Sequence, residues 1–240
     1  MTGLRRLVKR GAAESSAAPG SIRLSGVGAG YGGPPVLENL DLDVGPGEFL
    51  YVIGPSGSGK TTLLKLLHGT LKPDKGSIVV DGLPVHRLQR RQTGRVRRRV
   101  GHVFQTYELL PYLTALENVL LPLQLTHPRL RNPTGYAVDA LELVGLRERL
   151  KRRPDSLSVG EQQRVAVARA IAPQPRILLA DEPTGNLDSQ STAEIVELFR
   201  QLNGMGSTIV MATHDEFVLS RYPARAVRLR QRPRLVEVAS

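Results

Sequence analysis

The stretch Gly54-Pro55-Ser56-Gly57-Ser58-Gly59-Lys60-Thr61-Thr62 limits the fold more than any other. It satisfies G-x-x-x-x-G-K-S/T, a loop whose backbone amides wrap phosphate groups while a lysine and a hydroxyl complete the site. Such a loop needs a buried strand feeding a helix, and the flanks supply both. Phe49-Leu50-Tyr51-Val52-Ile53 reads as a strand, and Thr62-Leu63-Leu64-Lys65-Leu66-Leu67-His68 as a helix stopped by Gly69. The helix dipole and Lys60 then face phosphate charge together, and Thr61 is placed to ligate Mg²⁺.

Around this unit the chain alternates strands and helices. Ile22-Arg23-Leu24 and Leu37-Glu38-Asn39-Leu40-Asp41-Leu42-Asp43-Val44 read as strands, the second with Leu40, Leu42 and Val44 on one face, as in a half-buried antiparallel strand. Ser77-Ile78-Val79-Val80-Asp81-Gly82 reads as a strand closed by a turn, and Val100-Gly101-His102-Val103-Phe104 as a short strand ending at Gln105. Residues 109–125 are dense in leucine and carry Pro111 and Pro122, which predicts short packed helices. A connection over 126–134 leads to a helix from Ala137 to Val144, stopped by Gly145, with a core-facing stripe at 138, 141 and 144. Ser158 and Glu161 form an S-x-x-E capping box, so a helix begins there and runs toward Ala172, before Pro173. Ile177-Leu178-Leu179-Ala180 is apolar on both faces, which implies a sheet covered on both sides, hence parallel strands and an α/β fold. A helix over 192–202, a strand over 208–212 and His214 repeat the alternation. Short strands over 226–229 and 235–238 flank a turn at 231–234.

Composition narrows the function classes. The chain has no cysteine, which removes disulfides, thiol catalysis and cysteine metal sites. No apolar run approaches the roughly 20 residues that span a bilayer, and the basic start leads into Ala, Ser and Gly rather than an apolar segment, so no secretory signal is read there. A soluble protein is expected, with residues 1–20 a disordered basic extension. The net charge of +11 is unevenly placed: residues 1–10, 87–99, 147–153 and 221–240 carry net charges of +4, +7, +4 and +5, leaving −9 on the rest. Such patches on an acidic body suit an anionic membrane surface or nucleic acid, and charge alone leaves both open. Aromatic residues are only 4%, which leaves little for base stacking.

A phosphate loop needs a metal anchor and a group that acts on water. Asp181, at the end of a buried strand, occupies the anchor position for Mg²⁺. Glu182 beside it is the candidate to orient the attacking water or accept its proton. An acidic pair that merely precedes Pro183 is the alternative, and His214 taken alone reads first as a strand-end histidine satisfied by backbone. The capped start at Ser158 offers free amides to an anion.

Six features now stand in one order: the loop at 54–62, Gln105 after a strand, Leu157-Ser158-Val159-Gly160-Glu161-Gln162-Gln163-Arg164, Ile177-Leu178-Leu179-Ala180-Asp181-Glu182, Gly185-Asn186-Leu187-Asp188, and His214. The chain thereby resembles the nucleotide-binding subunits of ABC transporters across most of residues 22–240. The resemblance implies a P-loop NTPase (RecA-like) core with an antiparallel β subdomain and an α-helical subdomain at about 106–170, residues 21–240 forming one ATPase domain. It implies that Tyr31 stacks on the adenine of ATP, that Gln105 reaches Mg²⁺ and the attacking water, that Asp188 communicates across a dimer and that His214 contacts the γ-phosphate. It also implies that Ser158, Val159, Gly160 and Glu161 act in trans, on the nucleotide held by a second copy. Val159 departs from the family pattern, which has glycine there. Within the family, residues 47–67, 97–119, 180–188 and 207–218 look closest to the FtsE-type cell-division ATPase, in a group with the LolD lipoprotein-release and MacB export ATPases. The implied partner is an FtsX-like membrane protein or another permease at the cytoplasmic face of the membrane, with residues 106–125 as the contact surface. A nucleic-acid-acting ABC protein and a nucleotide switch without turnover are the competing readings.

Overall fold

Strands with no polar face make the centre of the molecule, whose computed structural model describes residues 20–230 and 235–238. β3 (Phe49–Ile53), β7 (Ile177–Asp181) and β8 (Thr208–Ala212) are buried almost throughout. With β6 (Val100–Val103), β9 (Arg225–Leu229) and β10 (Leu235–Val238) they form a six-stranded sheet in the order β10-β9-β3-β8-β7-β6. All neighbours in it run parallel except β9 and β10. Alternate residues feed two cores. Leu50 and Val52 of β3 lie with Leu179 and Val210 in one, whereas Tyr51 and Ile53 lie with Ala180 and Met211 in the other. Both faces are covered, as the parallel reading requires.

One cover is a second, antiparallel sheet, β2-β1-β4-β5, made of β1 (Ile22–Ala29), β2 (Leu37–Val44), β4 (Lys75–Val80) and β5 (Leu83–Pro84). In β2 the side chains of Leu37, Leu40, Leu42 and Val44 are buried; Asn39 at φ 46° interrupts the alternation where the ladder with β1 shifts register. This sheet and α1 (Lys60–Leu67) fill one core. The other core is covered by α3 (Ala115–Thr126), α4 (Pro133–Leu143) and α5 (Val159–Ile171), which pack on one another, and by α6 (Ser189–Gly204). The short α2 (Gly94–Arg97) precedes β6, and α7 (Glu216–Arg221) precedes β9.

Element boundaries agree with the sequence reading at β2, β3 and β8 and to within a residue at α5. The extension read over residues 1–20 and the turn at 231–234 fall outside the described residues, except that Gly20 is buried in the fold, its carbonyl accepting from the Thr208 hydroxyl at 2.6 Å. Two expectations are corrected. The leucine-rich stretch is a loop containing Pro111 followed by one helix, α3, which runs through Pro122. A capping box between Thr114 and Glu117 starts that helix firmly. The buried Asn118 amide then binds the carbonyls of Leu110, Leu113 and Thr114 and the amide of Leu110, tying the loop to the helix. Proline removes only one bond of the ladder, and these tertiary contacts outweigh it. The next helix starts four residues earlier than read, because Asn132 caps it through Gly135 and Pro133 sits in its first turn, a favoured place for proline.

Beside the sheet edge, His68 at the end of α1 packs on His102 of β6 with ring centroids 4.9 Å apart, and Phe104 lies 4.1 Å from His102. Burial pushes the His68 imidazole down to about 4, helped by Arg97; burial pushes His102 down to about 3, helped by His68, Arg169 and Lys65. Neither ring nitrogen of His102 has a hydrogen-bond partner. Both folded values lie below the unfolded 6.5, so the unfolded chain binds more protons in acid. Stability is full above about pH 6.5 and falls as pH drops toward 4, by about 2 kcal/mol per histidine at pH 5. Thermal unfolding at pH 7.5 and pH 5.0 measures this, and His102→Phe should roughly halve the acid loss.

Candidate functional site

The glycine loop joins β3 to α1 at the C-terminal end of the parallel strands. Its shape rests on contacts that leave no room for a side chain at Gly54, where a Cβ would lie 2.5 Å from the Leu229 carbonyl oxygen and 2.7 Å from Ser58 Oγ. At Gly59, the residue before α1, φ is 96° and a Cβ would meet the Leu37 side chain at 2.8 Å. Pro55, Ser56 and Gly57 are exposed at the crest, whereas Ser58, Gly59 and Lys60 are buried. The Lys60 ammonium folds back to donate to the carbonyls of Gly54 at 2.8 Å and Pro55 at 3.2 Å. Thr62 lies 3.4 Å through its hydroxyl from the hydroxyl of Tyr31, which is 60% exposed on the loop after β1 and 5.9 Å from Lys65 Nζ at its ring centre.

Next to the loop the end of β7 supplies two carboxylates. Asp181 is 3% exposed and its Oδ1 has no partner. Burial raises its carboxyl above the usual range, opposed by a hydrogen bond with Thr61 and by Lys60 and Lys65, with the Glu182 charge adding to the rise. A buried unpartnered carboxylate oxygen beside a hydroxyl is the oxygen donor set that a hard divalent cation takes, so the residues fit Mg²⁺. Glu182 sits at φ 46°, a left-handed conformation that costs a residue with a side chain on the order of 1 kcal/mol. Two bonds hold it there: its amide donates to Ala212 at the end of β8 (2.9 Å), and its carbonyl accepts from Gly185 (3.3 Å). One carboxylate oxygen, Oε1, thereby lies 3.5 Å from Lys60 Nζ and 3.1 Å from Nδ1 of the exposed His214. A small hollow lined by Glu182, Thr184, Gly185, Leu187, Thr213, His214 and Asp215 opens beside this group. Such a carboxylate can hold a water molecule and accept its proton.

The remaining residues singled out in the sequence sit in a turn and at two helix starts. Gln105 is exposed in a turn just beyond β6. Ser158 caps α5: its hydroxyl accepts from the Glu161 amide at 3.2 Å, while Glu161 Oε2 accepts from the Ser158 amide and Oε1 from Arg149 Nε, both at 2.8 Å. These bonds hold the Glu161 carboxyl below its usual range, the bond from Arg149 contributing most. Val159 opens the helix with its side chain 53% exposed, and a Cβ on Gly160 would sit 3.3 Å from Leu187. Among the described residues no hydrogen bond or ion pair joins residues 158–161 to the glycine loop. Asp188 is the cap of α6, accepting from the Ser191 amide at 2.9 Å and the Ser191 hydroxyl at 2.8 Å, which holds its carboxyl below the usual range. Sequence reasoning gave no role to Tyr107, to Arg169 or to Asn186, which it met only within the motif at 185–188. Arg169 of α5 donates to the backbone carbonyls of Tyr107 and Glu108, and Asn186 donates to the Tyr107 hydroxyl. These partners are far apart in the chain, and no spacing pattern marks them.

A parallel sheet with a phosphate-binding loop at the end of its central strand, an acidic pair on a strand nearby and an antiparallel cover defines a P-loop ATPase. The sequence profile of the family described as "ABC transporter" matches residues 37–185. Over 180 residues the chain is 50% identical to an uncharacterized ABC transporter ATP-binding protein of Thermotoga maritima, covering 75% of this chain and 77% of the relative. It is 41% identical over 195 residues to the cell division ATP-binding protein FtsE of Streptococcus pneumoniae (81% and 85% covered). To the lipoprotein-releasing system ATP-binding protein LolD of Bacteroides fragilis it is 44% identical over 198 residues (81% and 91% covered). A dimeric ATP-binding cassette solved in a post-hydrolysis state with ADP and Pi superposes with a TM-score of 0.85 at 36% identity, covering 90% of this chain and 97% of that one. The chain belongs to the ABC transporter ATP-binding family and is an ATP-hydrolysing cassette of that type. Among its described residues no helix is long and apolar enough to cross a membrane.

The loop geometry sets one expectation. Gly54→Ala should abolish ATP binding in a fluorescent-nucleotide titration, because the Leu229 carbonyl cannot move without breaking β9. Gly57→Ala, at φ 76° with open space around it, should cost only about 1 kcal/mol of unfolding free energy and keep the fold.

Proposed function

We propose that the chain drives a membrane complex of the FtsE type as an ATP-dependent homodimer, each nucleotide being held by one copy and closed over by the other. The observation that carries the hydrolytic site is Glu182, fixed by its backbone so that one carboxylate oxygen meets both Lys60 and His214. In this reading the amides of residues 54–62 and the Lys60 ammonium hold the phosphates of ATP, and the exposed ring of Tyr31 stacks on the adenine. Thr61, Asp181 and Gln105 hold Mg²⁺, which when bound offsets the negative charge of the phosphates. Glu182 orients the attacking water and takes its proton as the oxygen adds to the γ-phosphorus and ADP leaves. His214 steadies that carboxylate and reaches the γ-phosphate. Ser158, Val159, Gly160 and Glu161 of the second copy present the capped start of α5 to the same phosphate, and Asp188 links the two sites. The relative solved as a dimer with ADP and Pi supports the two-copy arrangement.

The membrane partner in this reading is an FtsX-like protein that docks around residues 106–125 at the cytoplasmic face, with the chain in peripheral contact with the membrane surface. Residues 106–170 form the helical unit that transmits nucleotide state, within one ATPase domain over 21–240. Identity of 41% to FtsE over most of both chains supports this branch. The 44% identity to LolD favours a second reading, an ATPase for lipoprotein release. Isolation of the tagged chain from detergent-solubilised membranes separates them: an FtsX-like partner supports the first, a lipoprotein-release permease the second.

Glu182→Gln should lower phosphate release at least about 100-fold while ATP binding persists, as loss of a general base requires. Retained turnover would remove Glu182 from this role. Val159→Gly should raise turnover or ATP-driven dimerisation, measured by phosphate release and light scattering, since it removes two exposed methyl groups from the face offered to the second copy. Unchanged kinetics would show that the valine points away from that nucleotide.

A further inference from the structure

Residues 105–108, just beyond β6, carry a feature that the hydrolytic scheme does not use. Tyr107 and Glu108 are consecutive and both left-handed, with φ 59° and 48°, although neither is glycine. Such a pair persists only where its surroundings hold it. Here one guanidinium does so: Arg169, in the last turn of α5, donates one nitrogen to the Tyr107 carbonyl and another to the Glu108 carbonyl. Burial lowers the Arg169 pKa, and the neighbouring Glu108 charge opposes that. The Tyr107 side chain points the other way, where its hydroxyl accepts from the Asn186 side-chain amide at 2.7 Å. Asn186 lies between Glu182 and Asp188 in the loop after β7.

We propose that Tyr107 is a positioning residue: its bond to Asn186, backed by the Arg169 fork on its carbonyl, sets Gln105 in register with Glu182 for hydrolysis. The geometry joins three elements at one tyrosine. The backbone around it belongs to the turn that carries Gln105, its hydroxyl is tied to the loop that carries Glu182, and its carbonyl is tied to the helix whose other end is Ser158. A shift of α5 therefore reaches the Gln105 turn through Arg169 and the Glu182 loop through Tyr107. The fork needs arginine, because two nitrogens in a fixed plane must meet two successive carbonyls, and a lysine ammonium cannot hold both in that geometry. The inference rests on the proposed roles of Gln105 and Glu182.

Steady-state phosphate release by purified Tyr107→Phe, Asn186→Ala, the double variant and Arg169→Lys tests it. Tyr107→Phe keeps the ring and removes only the hydroxyl. Its kcat should fall about tenfold with KM for ATP and the melting temperature close to the parent values, as expected when a reacting pair loses its register rather than its substrate. The double variant should be no slower than the slower single variant, because both break one bond. Arg169→Lys should show the same kcat-only loss. A Tyr107→Phe protein with parental kcat, a loss confined to KM, or fully additive losses in the double variant would overturn the proposal. Glu182→Gln run alongside distinguishes the two levels: if it still turns over, the scheme for Glu182 fails and the inference with it. If Glu182→Gln is dead and Tyr107→Phe is unimpaired, only the inference fails.

Discussion

An ammonium group has been taken out of water at the end of the central strand, and the site is built around that fact. Lys60 is 6% exposed. A buried cation is tolerated only with partners that replace its hydration, and it finds them in the carbonyls of Gly54 and Pro55 and the carboxylate of Glu182. Each partner constrains something else. The carbonyls curl the loop back on itself, which is possible only because Gly54 has no side chain to strike Leu229. The carboxylate requires the chain to leave β7 in a left-handed turn, and the bond from the Glu182 amide to the end of β8 keeps it there.

Much of this was legible in the sequence because it is local. A loop between a strand and a helix, a capping box at Ser158 and Glu161, an unbroken apolar run at 177–180 and a strand at 208–212 are patterns of neighbouring residues, and each forms where the pattern stands. The order of the six features carried the family assignment, which the comparisons bear out. The fold was misread where a local rule met a tertiary contact. Pro122 predicts an interruption, yet Asn118 and the capping box at Thr114 hold one continuous helix.

The spatial parts of the site were not legible. Nothing in the spacing of Tyr107, Arg169 and Asn186 announces that they meet, and a left-handed glutamate at position 182 cannot be told from an extended one by composition. His102 is similar: a histidine in a short apolar strand gives no sign that both its nitrogens will be left without partners against His68 and Phe104. The basic segments divide in the same way. Arg149 is spent on Glu161 and Arg99 on Asp81, so net charge along the chain overstates the charge free to meet a partner.

The cap of α6 has a consequence for association. Both carboxylate oxygens of Asp188 are already engaged by Ser191 of the same chain. If a second copy draws this aspartate toward itself, those bonds must stretch, and the first turn of a sixteen-residue helix loosens as the interface tightens. Pairing of two copies and local order within each would then be set against one another, with solvent exchange at the Ser191 amide as the place where that opposition becomes visible.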